Sequence, residues 1–272
     1  MKYQSIDFQI QNLKAYDALL IGGRENRNEI VLLDIENKEV ILIAYLNSFE
    51  KLMGYSLNPD DFNSFHALVD NTEVLLLPQE AYMEEMLPLY KSYLNSDGLV
   101  DSEVTSLDIL EINAIESFDF SAFSLEITSL ENFQYKSLTH VLLEGMATYL
   151  MEDENHTLGF HFSQDKVYVY YFNYGKLEFF NIYHASKIEG FKTQILNNIE
   201  KVLKTEKDSC RCFVSGDLNT LNQYEDLIKN EFRFMERVDV TEITGDGIVP
   251  EEIMSQQVEY LPVYLYMHHL NL

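Results

Sequence analysis

The sequence predicts an α/β protein built from two alike halves, each a mixed five-stranded sheet with helices on both faces. Three observations carry that prediction. "NEIVLLDIENKEVILIAY" (residues 28–45) and "KVYVYYFNYGKLEFFNIY" (residues 166–183) each place two apolar runs around a tight turn, the mark of a β-hairpin. Each hairpin is followed by the same order of segments: helix, short apolar strand, amphipathic helix. Finally, 272 residues that are 46% hydrophobic, with 18 Tyr and 17 Phe, are enough for a substantial core and argue against disorder.

Taken in chain order, Asp7 to Asn12 offers an edge strand and Ala18 to Ile21 a first central strand. The first hairpin pairs Ile30–Ile35 with Val40–Tyr45 around Asn37 and Lys38. A helical region from Ser48 to Val69 then precedes the strand "EVLLLP" (residues 73–78) and the helix "QEAYMEEMLPLYKSYL" (residues 79–94), with a last strand near Leu107 to Ile112. The Ser-, Asp- and Glu-rich stretch from Asn95 to Asn132 ends the half and crosses to the helix Thr139 to Met151.

The second half repeats the order. Leu158 to Phe162 is its first strand, and the hairpin pairs Val167–Phe172 with Leu177–Tyr183 around Gly175 and Lys176. Behind a Ser186 cap, Ile188, Phe191, Ile195, Ile199 and Val202 recur at helical spacing. "RCFVSG" (residues 211–216) is the next strand, followed by a helix from Thr220 to Phe232 and a strand within Arg233–Val240. The C-terminal segment opens at Pro250 and reads as a buried helix kinked near Pro262. Hairpins 138 positions apart exclude a solenoid and indicate a duplicated domain, with residues 1–135 as the first unit and 136–272 as the second.

Charge narrows the function classes. The 45 acidic residues against 19 basic give a net charge of −26, which repels nucleic acid and anionic membrane surfaces. No apolar run reaches the roughly 20 residues that span a bilayer, and "MKYQSIDFQIQ" lacks the order of a secretory signal. The expectation is a cytoplasmic protein without membrane insertion, whose Cys210 and Cys212 are structural.

Two tandem β-β-β-α-β-α-β units resemble the actin-like ATPase fold, a pair of ribonuclease-H-like domains shared by sugar kinases, chaperone ATPases and a pilus-assembly scaffold. "VLLLPQEAY", "VYVYYFNYGKLEFFNIY" and "CFVSGDL" look like the corresponding blocks of a bacterial family of unknown function with that fold. The resemblance covers residues 18–270 and is strongest over 158–240. It implies phosphate-binding turns after the first strand of each half, carrying Asp-x-Gly to hold Mg²⁺ and admit phosphate, and a later strand ending in Gly-Gly beside adenosine.

Those signatures are damaged. The first turn reads Gly22, Gly23, Arg24 without the Asp, the second reads Ser163, Gln164, Asp165, Lys166 without a Gly, and "VSGD" keeps Gly216 but follows it with Asp217. The expectation is therefore a non-catalytic interaction or scaffold protein with a degenerate nucleotide site, no required cofactor and an unidentified protein partner. The alternative is a divergent ATPase binding ATP and Mg²⁺ weakly through Gly22, Gly23, Arg24, Ser163 and Gly216.

Other constellations read as structural. His161 and Asp165 flank a turn and offer a general-base pair, outweighed by a strand residue with a polar loop neighbour. Adjacent His268 and His269 diverge on a helix and lack partner ligands, and Gly245-Asp246-Gly247 reads as a loop entering the last helix. Glu80, Glu84 and Glu85 read as solvated charges. The aromatic hairpin reads as core, with Tyr170, Tyr174 and Phe180 as a partner-binding edge if part of it is exposed.

Overall fold

The computed structural model describes the chain except for residues 1, 6–7, 23–27, 35, 46–50, 53–54, 57, 95–101, 121–122, 124–133, 152–154, 164, 185–189, 204–205, 245–248 and 271–272. Its strands in chain order are β1 (Tyr3–Gln4), β2 (Asp17–Ile21), β3 (Glu29–Asp34), β4 (Glu39–Tyr45), the short pair β5 (Lys51–Leu52) and β6 (Tyr55–Ser56), and β7 (Ser64–Pro78). There follow β8 (Ser102–Leu107), β9 (Ile112–Asp119), β10 (Gln134–Ser137), β11 (His156–Ser163), β12 (Lys166–Asn173), β13 (Lys176–His184), β14 (Arg211–Gly216) and β15 (Phe234–Arg237). The α-helices are α1 (Leu87–Tyr93), α2 (Leu138–Tyr149), α3 (Asn197–Leu203), α4 (Leu218–Glu231), α5 (Val240–Thr244) and α6 (Leu261–Leu265).

The second sheet runs β13-β12-β11-β14-β15: three antiparallel strands, then two parallel additions. In the first sheet β4-β3-β2-β7-β10 has the same order and the same orientations. It is extended to eight strands by β1 on the edge of β4 and by β9 and β8 on the upper part of β7. Both hairpins also slip register at the second pair from the turn, between Leu32 and Leu33 in one and between Tyr171 and Phe172 in the other. A bulge adds a residue and sharpens the local twist. Its recurrence at one place ties the two hairpins more closely than their few identical residues do.

Turn chemistry explains the hairpins. Tyr174 (φ 49°) and Gly175 (φ 73°) both take the positive φ that a two-residue turn demands. The first turn is longer and relies on Lys38 (φ 56°), with the Asp34 carboxylate accepting the Asn37 N–H at 3.0 Å and its Nδ2 at 2.8 Å. Asn37 and Lys38 thus turn the chain through a side-chain hydrogen bond where the second half uses a glycine.

The helix expected from Ser48 to Val69 is not formed: within that span the described residues are β5, β6, a 3₁₀ turn at Pro59–Asp61 and the start of β7. Phe62, Phe65 and Val69 fall at helical spacing, but Phe65, Ala67 and Val69 alternate onto one buried face of a strand. The counterpart of β14 is therefore the first part of β7, and "EVLLLP" is its continuation, paired antiparallel with β9. Leu107 to Ile112 is a turn between β8 and β9, with Glu111 at φ 54°, and β10 takes the place of the last strand. The N-terminal edge strand is β1; Ile10–Ala15 is a 3₁₀ helix and Asp7 lies outside the described residues. "QEAYMEEMLPLYKSYL" folds as two 3₁₀ turns and the short α1, while Ser186 and Ile188 lie outside the described residues.

Three apolar layers hold the molecule together. One joins Leu19, Val31 and Ile43 of the first sheet to Tyr168, Tyr170 and Phe172 of β12, with α2 and the C-terminal segment between them. α2 is apolar nearly all round and buried accordingly, capped by Ser137, whose hydroxyl accepts the His140 N–H at 3.1 Å. The C-terminal segment is helical from Glu251 to Leu270: 3₁₀ over Glu251–Tyr260, α6 with Pro262 in its first turn, then π-helical over Tyr266–Leu270. A second layer packs the outer face of the second sheet on α3 and α4 through Phe160, Phe162, Phe191, Ile195, Ile199, Leu221 and Tyr224. On the outer face of the first sheet the described cover is Phe8, Leu13, Phe62 and Phe123, none of them in an α-helix. Each large side chain so buried contributes about 1.5 to 3 kcal/mol.

Candidate functional site

The strand ends that the resemblance singles out meet where the two sheets approach one another. Ser163 closes β11 and donates its hydroxyl to both oxygens of Asp70, at 2.8 and 2.9 Å, in the middle of β7. Ile21, the last residue of β2, pairs with Leu68, so Gly22 stands half-buried beside the same stretch of β7. Gly23 and Arg24 lie outside the described residues. Gly216 closes β14 opposite Phe162, one residue before Ser163.

Two further contacts seal this junction. Tyr168 accepts the Asn71 backbone N–H at 2.9 Å and donates to Asp70 at 3.3 Å. Lys166, whose side chain is only 6% exposed, reaches across to Asp119 at the end of β9, at 2.9 Å. The cation following the second turn is thereby held by the protein's own carboxylate.

Beneath them Asn71 is a fully buried node. Its Nδ2 donates to Glu116 at 3.1 Å, while its Oδ1 accepts the Thr139 N–H at 3.0 Å, the Thr139 hydroxyl at 2.7 Å and the Ser137 hydroxyl at 3.1 Å. One amide thus ties β7 to β9 and to the start of α2.

Gly216 serves a close approach within the sheet. At φ 98° it brings the Asp217 N–H to the Phe162 carbonyl at 2.8 Å, and a Cβ there would lie 2.0 Å from that oxygen. Asp217 caps α4 by accepting the Thr220 N–H at 2.7 Å, and Glu259 of the C-terminal segment accepts the Leu218 N–H at 3.2 Å. The next residue, Tyr260, donates to Glu29 at 3.0 Å and accepts from Lys2 at 2.9 Å, while Lys2 and Glu29 pair at 2.7 Å. Burial works against the charge of Lys2, but Glu29, Tyr45 and Glu259 together outweigh it and raise the ammonium's pKa.

Burial pushes the carboxyl of Asp70 above the usual carboxylate range, against the charge of Lys166 and the Ser163 hydrogen bond. Glu116 is raised for the same reason. Phosphate needs converging donors and a cation. Here the described donors, Ser163 and Lys166, are turned onto carboxylates, and the N-terminus of α4 is filled by Asp217 and Glu259. ATP with Mg²⁺ therefore does not fit the described residues as they are arranged. Among the described residues no three His, Cys, Asp or Glu side chains cluster to hold a metal ion.

The remaining sequence candidates separate. His161 is buried against Ser215, with Nδ1 3.0 Å from its hydroxyl, whereas Asp165 is exposed and 3.5 Å from His184, so the general-base pair is not formed. Tyr170 is fully buried with its ring across Gly159, where a Cβ would lie 2.0 Å from it; Tyr174 is exposed and Phe180 half-buried. The three do not make one surface. Cys210 and Cys212 are free and buried in the second sheet's core, His268 is buried, and Gly245 to Gly247 lie outside the described residues. Glu80, Glu84 and Glu85 are exposed.

Burial lowers the pKa of His161 from 6.5 to about 3. The folded protein holds this ring neutral, whereas the unfolded chain binds its proton below about pH 6.5. Its contribution is whole above that pH and is lost toward pH 3, at about 1.4 kcal/mol per unit. The stability difference between wild type and His161→Asn should shrink by that slope between pH 6 and 4, read from urea midpoints. Parallel curves would remove His161 as the cause.

Sequence reading missed Asp70, Asn71, Glu116, Asp119 and Lys2. For Asp70 and Asn71 the signal is "DNTE" (residues 70–73), a polar run in the middle of an otherwise apolar strand; Glu116, Asp119 and Lys2 carry none of that kind.

The model of the family described as protein of unknown function (DUF3822) matches residues 10–234. A Bacteroides thetaiotaomicron protein with actin-like ATPase fold and unknown function is similar at 14% identity and TM-score 0.68, over 86% of this chain and 94% of that one. The PilM-PilN type IV pilus biogenesis complex is similar at 10% identity and TM-score 0.54, over 95% and 98%. These likenesses establish the actin-like ATPase fold. Among curated proteins none matches the chain. No helix among the described residues is long and apolar enough to cross a membrane.

Proposed function

This chain belongs to the DUF3822 family, and we propose that it is a non-catalytic cytoplasmic interaction or scaffold protein that keeps the actin-like arrangement without its nucleotide chemistry. We take its halves, residues 1–135 and 136–272, as copies of one ancestral unit; matching strand order and matching bulges support this. The observation that carries the proposal is the junction itself. Asp70 engages Ser163, and Asp119 engages Lys166, so the junction already supplies its own anions. A protein partner is also what the PilM-PilN complex has, though that is said of PilM.

The test is a thermal shift with 1 mM ATP and Mg²⁺. No shift beyond about 1 °C is expected. Binding at a Kd of about 10 μM would add about 2.7 kcal/mol, or roughly 5 to 10 °C for a chain of this size. A shift of that size that needs Mg²⁺ would overturn the proposal in favour of a divergent ATPase working through Gly22, Gly23, Arg24, Ser163 and Gly216.

A further inference from the structure

The upper part of β7, α1, β8 and β9 form an extension that the second half lacks. Of the ten large apolar side chains exposed among the described residues, five lie between residues 83 and 109. Met83 is 49% exposed, Leu89 44% and Tyr93 67%. Leu89 and Tyr93 stand one helical turn apart on the same side of α1, and Met83 precedes them on the turn that leads in. Lys91 ties α1 to β8 by donating to the Ser102 carbonyl at 2.9 Å, and Val104, 37% exposed, lies next to that anchor on the strand that ends the sheet.

Charge says what would cover these side chains. Among the described residues of this extension Glu80, Glu84, Glu85, Glu103, Asp108 and Glu111 are exposed carboxylates, and the one cation in the sequence over residues 73–119 is Lys91, which donates to the Ser102 carbonyl. A ligand of matching sign is basic. An apolar stripe within an acidic rim excludes a nucleic acid or an anionic lipid surface, and a second copy of this acidic patch would meet like charge. We propose that this face of α1 and β8 docks a basic segment of a partner protein that carries apolar anchors at helical spacing. The inference rests on reading the protein as an interaction module and adds the surface and the chemistry of its partner.

The probe is a Leu/Lys amphipathic 18-mer, with a Leu/Glu 18-mer of the same pattern as control. The full chain is titrated with each by fluorescence anisotropy, next to a Met83→Ser/Leu89→Ser/Tyr93→Ser variant. The variant keeps every charge, so diffuse attraction is unchanged, and unaltered urea midpoints show that it folds. Expected are binding of the basic peptide, at least tenfold weaker binding by the variant, none of the acidic peptide, and slowed amide exchange confined to residues 79–94 and 102–107. Equal affinity for variant and wild type, or equal binding of both peptides, would overturn the proposal. So would sedimentation showing that the free chain pairs through this patch. A protein that ignores both nucleotide and peptide would lose this inference and keep the scaffold reading.

Discussion

Gly216→Ala is expected to cost about 3 to 5 kcal/mol, lowering the urea midpoint far enough that little folded protein survives at 37 °C. The methyl would sit 2.0 Å from the Phe162 carbonyl oxygen, a backbone atom of the neighbouring central strand that already accepts the Asp217 N–H. No rotamer relieves such a contact; β11 and β14 would have to part. A left-handed alanine adds about 1 to 2 kcal/mol of its own at φ 98°. Gly175→Ala is the matched control. It also has positive φ, but it lies in a hairpin turn whose nearest neighbour, the Leu150 carbonyl, is 3.1 Å away, so about 1 kcal/mol is expected. Equal losses from the two would mean that φ alone, and not the approach to Phe162, sets the cost.

Asn71→Ala should be as damaging, for a different reason. It removes the amide from Glu116 and leaves the Thr139 N–H and hydroxyl without their acceptor in a site closed to water. At about 1 to 3 kcal/mol for each buried group left unpaired, a loss of about 3 to 6 kcal/mol follows. Asn71→Asp distinguishes lost hydrogen bonds from lost volume. It keeps the acceptor for Thr139 but sets a carboxylate against Glu116, so its deficit at pH 7 should narrow as the pH falls and the pair takes up a proton. A deficit that stays constant from pH 7 to 5 would argue against that pairing. Both variants can be followed by urea unfolding with circular dichroism.

Much of this architecture was legible in the chain itself. Hairpins with apolar runs and polar turns are local signals: Lys38 and Gly175 turn where they were expected to, while the second turn is Tyr174–Gly175, one residue before the expected Gly175–Lys176, and Lys176 already opens β13. β14 announced itself through a short apolar run and α4 through its amphipathic spacing, although the helix begins at Leu218, capped by Asp217, two residues before the Thr220 expected. β7 did not, because Phe62, Phe65 and Val69 satisfy helical spacing as well as strand alternation, and only pairing with β2, β9 and β10 decides between them. The site was half legible. Damage to the glycine motifs is visible residue by residue, whereas the groups now at the junction come from β7, β9, β11 and β12 and meet only through tertiary packing. Asp70 and Ser163 are 93 positions apart.

The placement of α2 and the C-terminal segment between the sheets has a mechanical corollary. A molecule whose lobes swing about a hinge needs a wet gap to swing into. Here Leu142, Met146, Leu261 and Leu265 share one dry seam with Leu19 and Val31 on one side and Tyr168 and Tyr170 on the other. Prising the lobes apart would bare that seam to water, so the two should melt as one cooperative unit, and a chain severed between them should leave neither fragment able to stand alone.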